Sequence, residues 1–285
     1  GGITSTGLVN DVWYSSNGVS WTQATAAAGW TARRYLFSTV YDNKIWVMGG
    51  RHDSAFLHDV WFSVDGGVKW VQATAAAEWS AREAATTLVF DNKMWVMGGL
   101  DGYTNNQVWC SLDGVSWTQA AAAAAWRSRY GHTSVVLNHK MWVLGGITGD
   151  SDRDGTLNDV WSAVLFQQTQ APTSNPTVGL TVAPSHAPTA SPTVSATFAP
   201  TTNFGLVVGT AWSVASTDAA WSSRSGHASV VFDDKMWVMG GANYGTPKRD
   251  VWSSGNGVSW ALVTPAAGWP ARERFTSVVF DSKMW

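Results

Sequence analysis

Twenty tryptophans stand at fixed intervals along the 285 residues, and this regularity restricts the chain to a repeat architecture. The step of 16 residues from Trp30 to Trp46 recurs from Trp79 to Trp95, Trp126 to Trp142, Trp221 to Trp237 and Trp269 to Trp285. A step of 9 separates Trp21 from Trp30, Trp70 from Trp79, Trp117 from Trp126, Trp212 from Trp221 and Trp260 from Trp269. With Trp13, Trp61, Trp161 and Trp252, the twenty fall into five sets of four.

The unit from Trp79 to Trp126 reads as four short strands. A Trp-x-x-Arg corner leads into an apolar run that turns at Asp91-Asn92, and a second run ends at Gly98-Gly99. A polar loop follows, then a strand around Trp109, a turn at Asp113-Gly114 and a strand from Trp117. Asn17-Gly18 and Asn256-Gly257 occupy the same place as Asp113-Gly114, and such pairs favour tight turns because both residues tolerate positive φ. The Ala-rich links at 24–28, 73–77 and 120–125 are too short for stable helices and read as connecting loops. Runs such as Ser229 to Phe232 and Met236 to Met239 are apolar on both faces, so each sheet needs a neighbour on either side. Four-stranded antiparallel sheets arranged around an axis satisfy that, and the fold class is all-β, a β-propeller. Five blades are expected, one of them shared between the N- and C-terminal segments. The chain ends at Met284-Trp285 and begins at Gly1-Gly2, complementary pieces of one unit.

One interval departs from the rule. Trp161 and Trp212 are 51 residues apart, which places an insertion of about 43 residues between two strands of one unit. The organisation is therefore blades over 1–164, an insertion over 165–208, and blades over 209–285. Leu165 to Thr217 contains no Asp, Glu, Lys or Arg and holds six of the nine prolines among many Thr and Ser. Such a composition cannot bury a core and favours extended conformations.

Charge narrows the function classes. Net charge is −2, only 13% of residues are charged, and no basic cluster stands out, so there is no electrostatic footprint for nucleic acid. The apolar runs are of strand length, which predicts no membrane-inserted helix. The single cysteine, Cys110, follows Trp109 within a strand and reads as a packing residue.

The corner Arg, the strand ending in Gly-Gly, the Trp that opens the fourth strand, and the Gly131-His132 and Gly226-His227 pairs together resemble the kelch repeat. The resemblance covers the chain apart from the insertion. It implies a propeller with one blade per repeat, closed by strands from the two ends. Kelch propellers usually have six or seven blades. Five units fit either a closed five-bladed ring or part of a longer array.

In a kelch propeller the loops at one end of the axis often form the partner surface. Arg33, Arg82, Arg129, Arg224 and Arg272 precede the innermost strands, and they read either as structural donors to neighbouring carbonyls or as a cationic axial rim suited to carboxylates. His132 and His227 belong to the same rim. The loops between second and third strands differ most between units and contribute His52, Asp53, Tyr103, Asn105, Tyr244 and Lys248 as a candidate binding surface. Asp150, Asp152 and Asp154, with Gly155, fit the first half of a calcium loop, but the twelfth position is Trp161 where a bidentate Glu belongs. No cofactor is implied otherwise.

The expected function is a non-enzymatic protein- or glycan-binding module of a secreted or cell-surface protein. The compartment rests on the Pro/Thr/Ser tract, which resembles mucin-like linkers. Two alternatives remain: a carbohydrate-active enzyme on the same scaffold, which needs two facing acids, and an intracellular adaptor.

Overall fold

The computed structural model describes residues 1–17, 19–149, 155–167, 208–275, 277, 279–280 and 283–284. The calcium candidate Asp150, Asp152 and Asp154, most of the insertion, and Gly18 of the first tight turn lie outside the described residues.

Four blades are complete, each a four-stranded antiparallel sheet. Blade one consists of Phe37–Tyr41, Lys44–Met48, Val60–Ser63 and Val71–Thr74. Blade two is Thr86–Phe90, Lys93–Met97, Val108–Ser111 and Thr118–Ala121. Blade three is Thr133–Leu137, Lys140–Ile147, Thr156–Gln167 and Val208–Ser216. Blade four is Ala228–Phe232, Lys235–Met239, Val251–Ser254 and Ala261–Thr264. No helix occurs among the described residues. The Ala tracts begin as strand: Ala24-Thr25, Ala73-Thr74 and Ala120-Ala121 close their fourth strands before the chain leaves the sheet. The long hairpin of blade three pairs Leu165, Phe166 and Gln167 with Thr210, Gly209 and Val208, so the sheet takes up residues assigned from composition to the insertion.

The fifth unit is present as two hairpins, Val12–Tyr14 with Thr22–Thr25 and Val279–Phe280 with Lys283–Met284, with no ladder between them among the described residues. Its N-terminal part nevertheless repeats the template. The Gly1 ammonium donates to Asp11 O at 2.7 Å, as Gly49 N does to Asp59 O, and Gly2 N donates to Arg33 O as Gly50 N does to Arg82 O. The last hairpin lies against the innermost strand of blade four.

At the axis the corners join directly. Tyr35, Ala84, Gly131, Gly226 and Arg274 are equivalent and all have φ between 52° and 60°. Ala84 N donates to Tyr35 O, Gly131 N to Ala84 O, Gly226 N to Gly131 O and Arg274 N to Gly226 O. Arg274 Nη1 then reaches Tyr35 OH at 3.0 Å, closing the circuit across 239 residues of sequence. Five corners make one ring.

The tryptophan register assigns three mechanical roles. Corner and fourth-strand rings of one blade meet edge to face, Trp30 with Trp70, Trp79 with Trp117, Trp126 with Trp212 and Trp221 with Trp260, at 5.9–6.1 Å. Second-strand indoles (Trp46, Trp95, Trp142, Trp237) donate to the carbonyl five residues earlier, which locks the first hairpin. Third-strand indoles donate to the side chain two residues earlier, such as Asp59 for Trp61 and Asp250 for Trp252.

Candidate functional site

The corner arginines do not form a cationic rim. Arg33, Arg82, Arg129 and Arg224 are fully buried. In each, Nε donates to the carbonyl two residues earlier and Nη1 to the first glycine of its own Gly-Gly pair, for example Gly49 O at 3.0 Å and Gly145 O at 2.8 Å. The forks of Arg33, Arg129 and Arg224 grip Asp59, Asp159 and Asp250 at 2.5–2.9 Å. A buried guanidinium needs this compensation, and here it links the corner to the second and third strands. The carboxyls of Asp59 and Asp250 are held below the usual range by the bonds from Arg33 and Arg224, against the opposing effect of burial. Arg272 differs: it is exposed, and its Nε repeats only the bond to the carbonyl two residues back.

His132 and His227 are also interior. Each imidazole packs on its corner tryptophan, Trp126 at 6.0 Å and Trp221 at 6.1 Å. Each shares a hydrogen bond through Nε2 with a hydroxyl of the preceding blade, Thr86 at 3.0 Å and Thr133 at 2.9 Å. Burial, reinforced by the nearby Arg129 and Arg224 charges, holds both in the neutral form, and His227 is lowered to about 3. These two are inter-blade spacers, not rim residues.

Of the loop candidates, Tyr103 is 84% exposed and Tyr244 71%, and Asp53 is also exposed. His52 is half-buried with Nδ1 2.7 Å from Ala32 O. Asn105 is buried and donates to Tyr103 O, while its main chain bridges Arg129. Lys248 is half-buried and pairs through its main chain with Gly241 and Arg272. Four more side chains at this mouth lie one and two residues beyond the corner arginines, or open the variable loops: Tyr35 and Arg274 are exposed, and Arg34 and Arg51 are half-buried. Their sequence signal is that they break the repeat, since Arg34 and Tyr35 correspond to Glu83-Ala84, Tyr130-Gly131 and Ser225-Gly226.

The opposite mouth, framed by the first-hairpin turns, holds a depression of about 910 Å³ whose lining includes Val89, Val136, Asp91, Asn138, His139 and Asp234. Among the described residues no group of three His, Cys, Asp or Glu could hold a metal ion. Cys110 is buried in its strand, and burial pushes its thiol pKa up, away from nucleophilic use. No described helix is long and apolar enough to cross a membrane.

Radial four-stranded sheets joined through a ring of corners define a β-propeller. Residues 1–111 match the model of the DUF6242 beta propeller domain, and residues 223–253 match the Kelch motif. With the five-fold repeat, these matches support a kelch-repeat β-propeller, and a propeller of this kind fits a protein-binding module. No curated protein matches it.

Proposed function

We propose that this propeller is a non-enzymatic protein-binding module whose partner docks on the mouth where the corners and the second-to-third-strand loops meet. The observation that carries this reading is the set of exposed tyrosines there, Tyr35, Tyr103 and Tyr244, with the exposed Arg274 and the half-buried Arg34 and Arg51. Tyr and Arg bury large area at low entropic cost and dominate binding hot spots. A secreted or cell-surface setting is the accompanying proposal, supported by the Pro/Thr/Ser tract, and a glycan partner is its narrower variant. Photo-crosslinking residues placed at Tyr244 and, on the opposite mouth, at Asp234 test the docking face. Adducts to a protein from position 244 alone are expected, and adducts from position 234 alone would reject this face.

A second reading has one observation in its favour. Asp91, Asp234 and His139 converge on the depression of the opposite mouth, the kind of acidic cleft a carbohydrate-active enzyme uses. Against it, Asp91 is engaged by Lys93 at 3.2 Å, and both acids are turn residues of the repeat. Turnover of aryl glycosides abolished by Asp234→Asn would establish that activity.

A further inference from the structure

Arg34 and Arg51 face each other as an antiparallel bridge pair, exchanging main-chain bonds of 3.0 and 2.9 Å. The corresponding pairs are Glu83 with Leu100, Tyr130 with Ile147 and Ser225 with Ala242. Only this corner among the four sets two like charges directly opposite, an arrangement that is unfavourable across strands. A third guanidinium arrives from the far end of the ring. Arg274 donates to Tyr35 OH at 3.0 Å and lies 5.8 Å from the centre of that ring, while Arg34 lies 5.5 Å from the same centre. Tyr35 thus holds two cations against one aromatic ring.

The compensation is incomplete. Glu83 meets Arg51 at 3.4 Å, and Glu273 meets Arg274 at 3.8 Å. Arg34 has no carboxylate partner among the described residues, and its Nε is sealed from solvent with no acceptor. Arg274 remains 63% exposed. A half-buried guanidinium without an acceptor is a donor held ready for a strong one, and the planar fork favours a carboxylate.

We infer that the Arg34–Tyr35–Arg274 cluster, with Arg51 behind it, is an anchor for an acidic segment of a protein partner, whose Asp or Glu carboxylates bridge Arg34 and Arg274. This rests on the docking face proposed above and names the chemistry of the partner. Charge complementarity selects it: three guanidiniums meet two carboxylates here, in a chain whose overall charge is negative. Glu83 already meets Arg51 through Oε1, and its other oxygen is a buried orphan, so a further anion is favoured at Arg34 and Arg274, away from Glu83.

The test uses a fluorescein-labelled (Gly-Glu)6 peptide, with (Gly-Gln)6 and (Gly-Lys)6 as controls, and fluorescence anisotropy across a salt series. Binding of the acidic peptide at least tenfold tighter than either control, weakening as salt rises, is expected. Arg34→Ala and Arg274→Ala should each weaken it at least fivefold, and Arg274→Lys by less, because charge is kept while the fork is lost. Lys235→Ala removes an exposed charge on the opposite mouth and should leave affinity within twofold. Equal binding of the three peptides, unchanged affinity in the Arg34 and Arg274 variants, or an equal loss with Lys235→Ala would overturn the inference. Adducts still forming at position 244 alongside such a result would leave the docking face standing and reject only the acidic partner. Loss of those adducts would reject the face itself.

Discussion

Arg82 donates to Gln107 Oε1 at 2.6 Å, in the place where the other buried corner arginines grip an aspartate. Its charge is balanced indirectly. Arg82 Nη2 donates to Ser80 Oγ at 2.7 Å, and Ser80 donates to Asp101 at 2.5 Å. Burial lowers the Arg82 pKa to about 10, with the Asp101 charge opposing. A neutral amide therefore sits beside a buried cation whose counter-charge lies one hydroxyl away. Gln107→Asp places a carboxylate two residues before Trp109, as in the other units, and should stabilise the fold by about 1 kcal/mol in urea unfolding. Asp59→Ala leaves Arg33 buried without its partner and should cost about 3 kcal/mol. A neutral or destabilising Gln107→Asp would show that the Ser80–Asp101 relay already supplies all the compensation Arg82 needs.

The two buried histidines make the fold acid-sensitive in a defined window. Their native pKa values lie below 6.5, His227 at about 3, so the unfolded chain accepts protons that the native state refuses. Their contribution to stability is complete above pH 6.5 and declines as pH falls from there toward 3. The slope is up to about 1.4 kcal/mol per pH unit for each histidine. The aspartates with lowered pKa act only below 3.8, which leaves the range from 6.5 to 4.5 to the histidines. Phe275 already fills the same position in the fifth unit, 6.0 Å from Trp269. The His132→Phe/His227→Phe protein should therefore lose less than about 1 kcal/mol between pH 7 and pH 5, where the parent chain loses about 4 kcal/mol. Identical pH profiles would refute the assignment.

Tryptophan spacing carried the fold because each indole has one fixed task, so an interval of 16 or 9 residues maps onto a hairpin or a corner. Turn chemistry was equally local: Asp42-Asn43 and Asp91-Asn92 adopt the positive φ that such pairs tolerate. The role of the corner arginines was harder to read, since recurrence fits a rim and a clamp alike. The deciding signal was the Asp or Gln two residues before every third-strand Trp, at 11, 59, 107, 159 and 250. Only folding brings that residue across the sheet to the corner. Arg34, Tyr35 and Arg274 gave no periodic signal because their task, joining the first corner to the last, exists once.

Gly257 shows crowding acting on top of backbone conformation. Its φ is +73°, and a Cβ there would come within 2.2 Å of the Trp142 ring on the neighbouring blade; Gly114 stands in the same relation to Trp46. Gly66 has the same φ of +73° but open space around it. Gly66→Ala should therefore report conformational strain alone, about 1 kcal/mol, while Gly257→Ala adds the displacement of a packed indole and should cost about 3 kcal/mol or more. Thermal unfolding of the pair separates the two contributions. Equal shifts in Tm would mean that the indole moves aside freely.

Phe37 replaces a ring that its neighbour lacks. In blades three and four and in the fifth unit, the residue six beyond the corner Trp is His132, His227 or Phe275, and its ring lies beneath the first glycine of the preceding Gly-Gly pair. Blade two has Ala85 there. The space over Trp79 is filled instead from blade one by Phe37, whose ring lies 5.6 Å from Trp79 and directly under Gly49. Phe37→Ala opens a cavity at this junction and should cost about 3–4 kcal/mol. Ala85→Phe alone forces two rings into one space and should also destabilise, by about 1–3 kcal/mol. Together the two substitutions return blade two to the arrangement of the other blades, so the double variant should be more stable than either single one. Urea unfolding of the four proteins measures the coupling. Additive losses would mean that the two positions do not share one cavity.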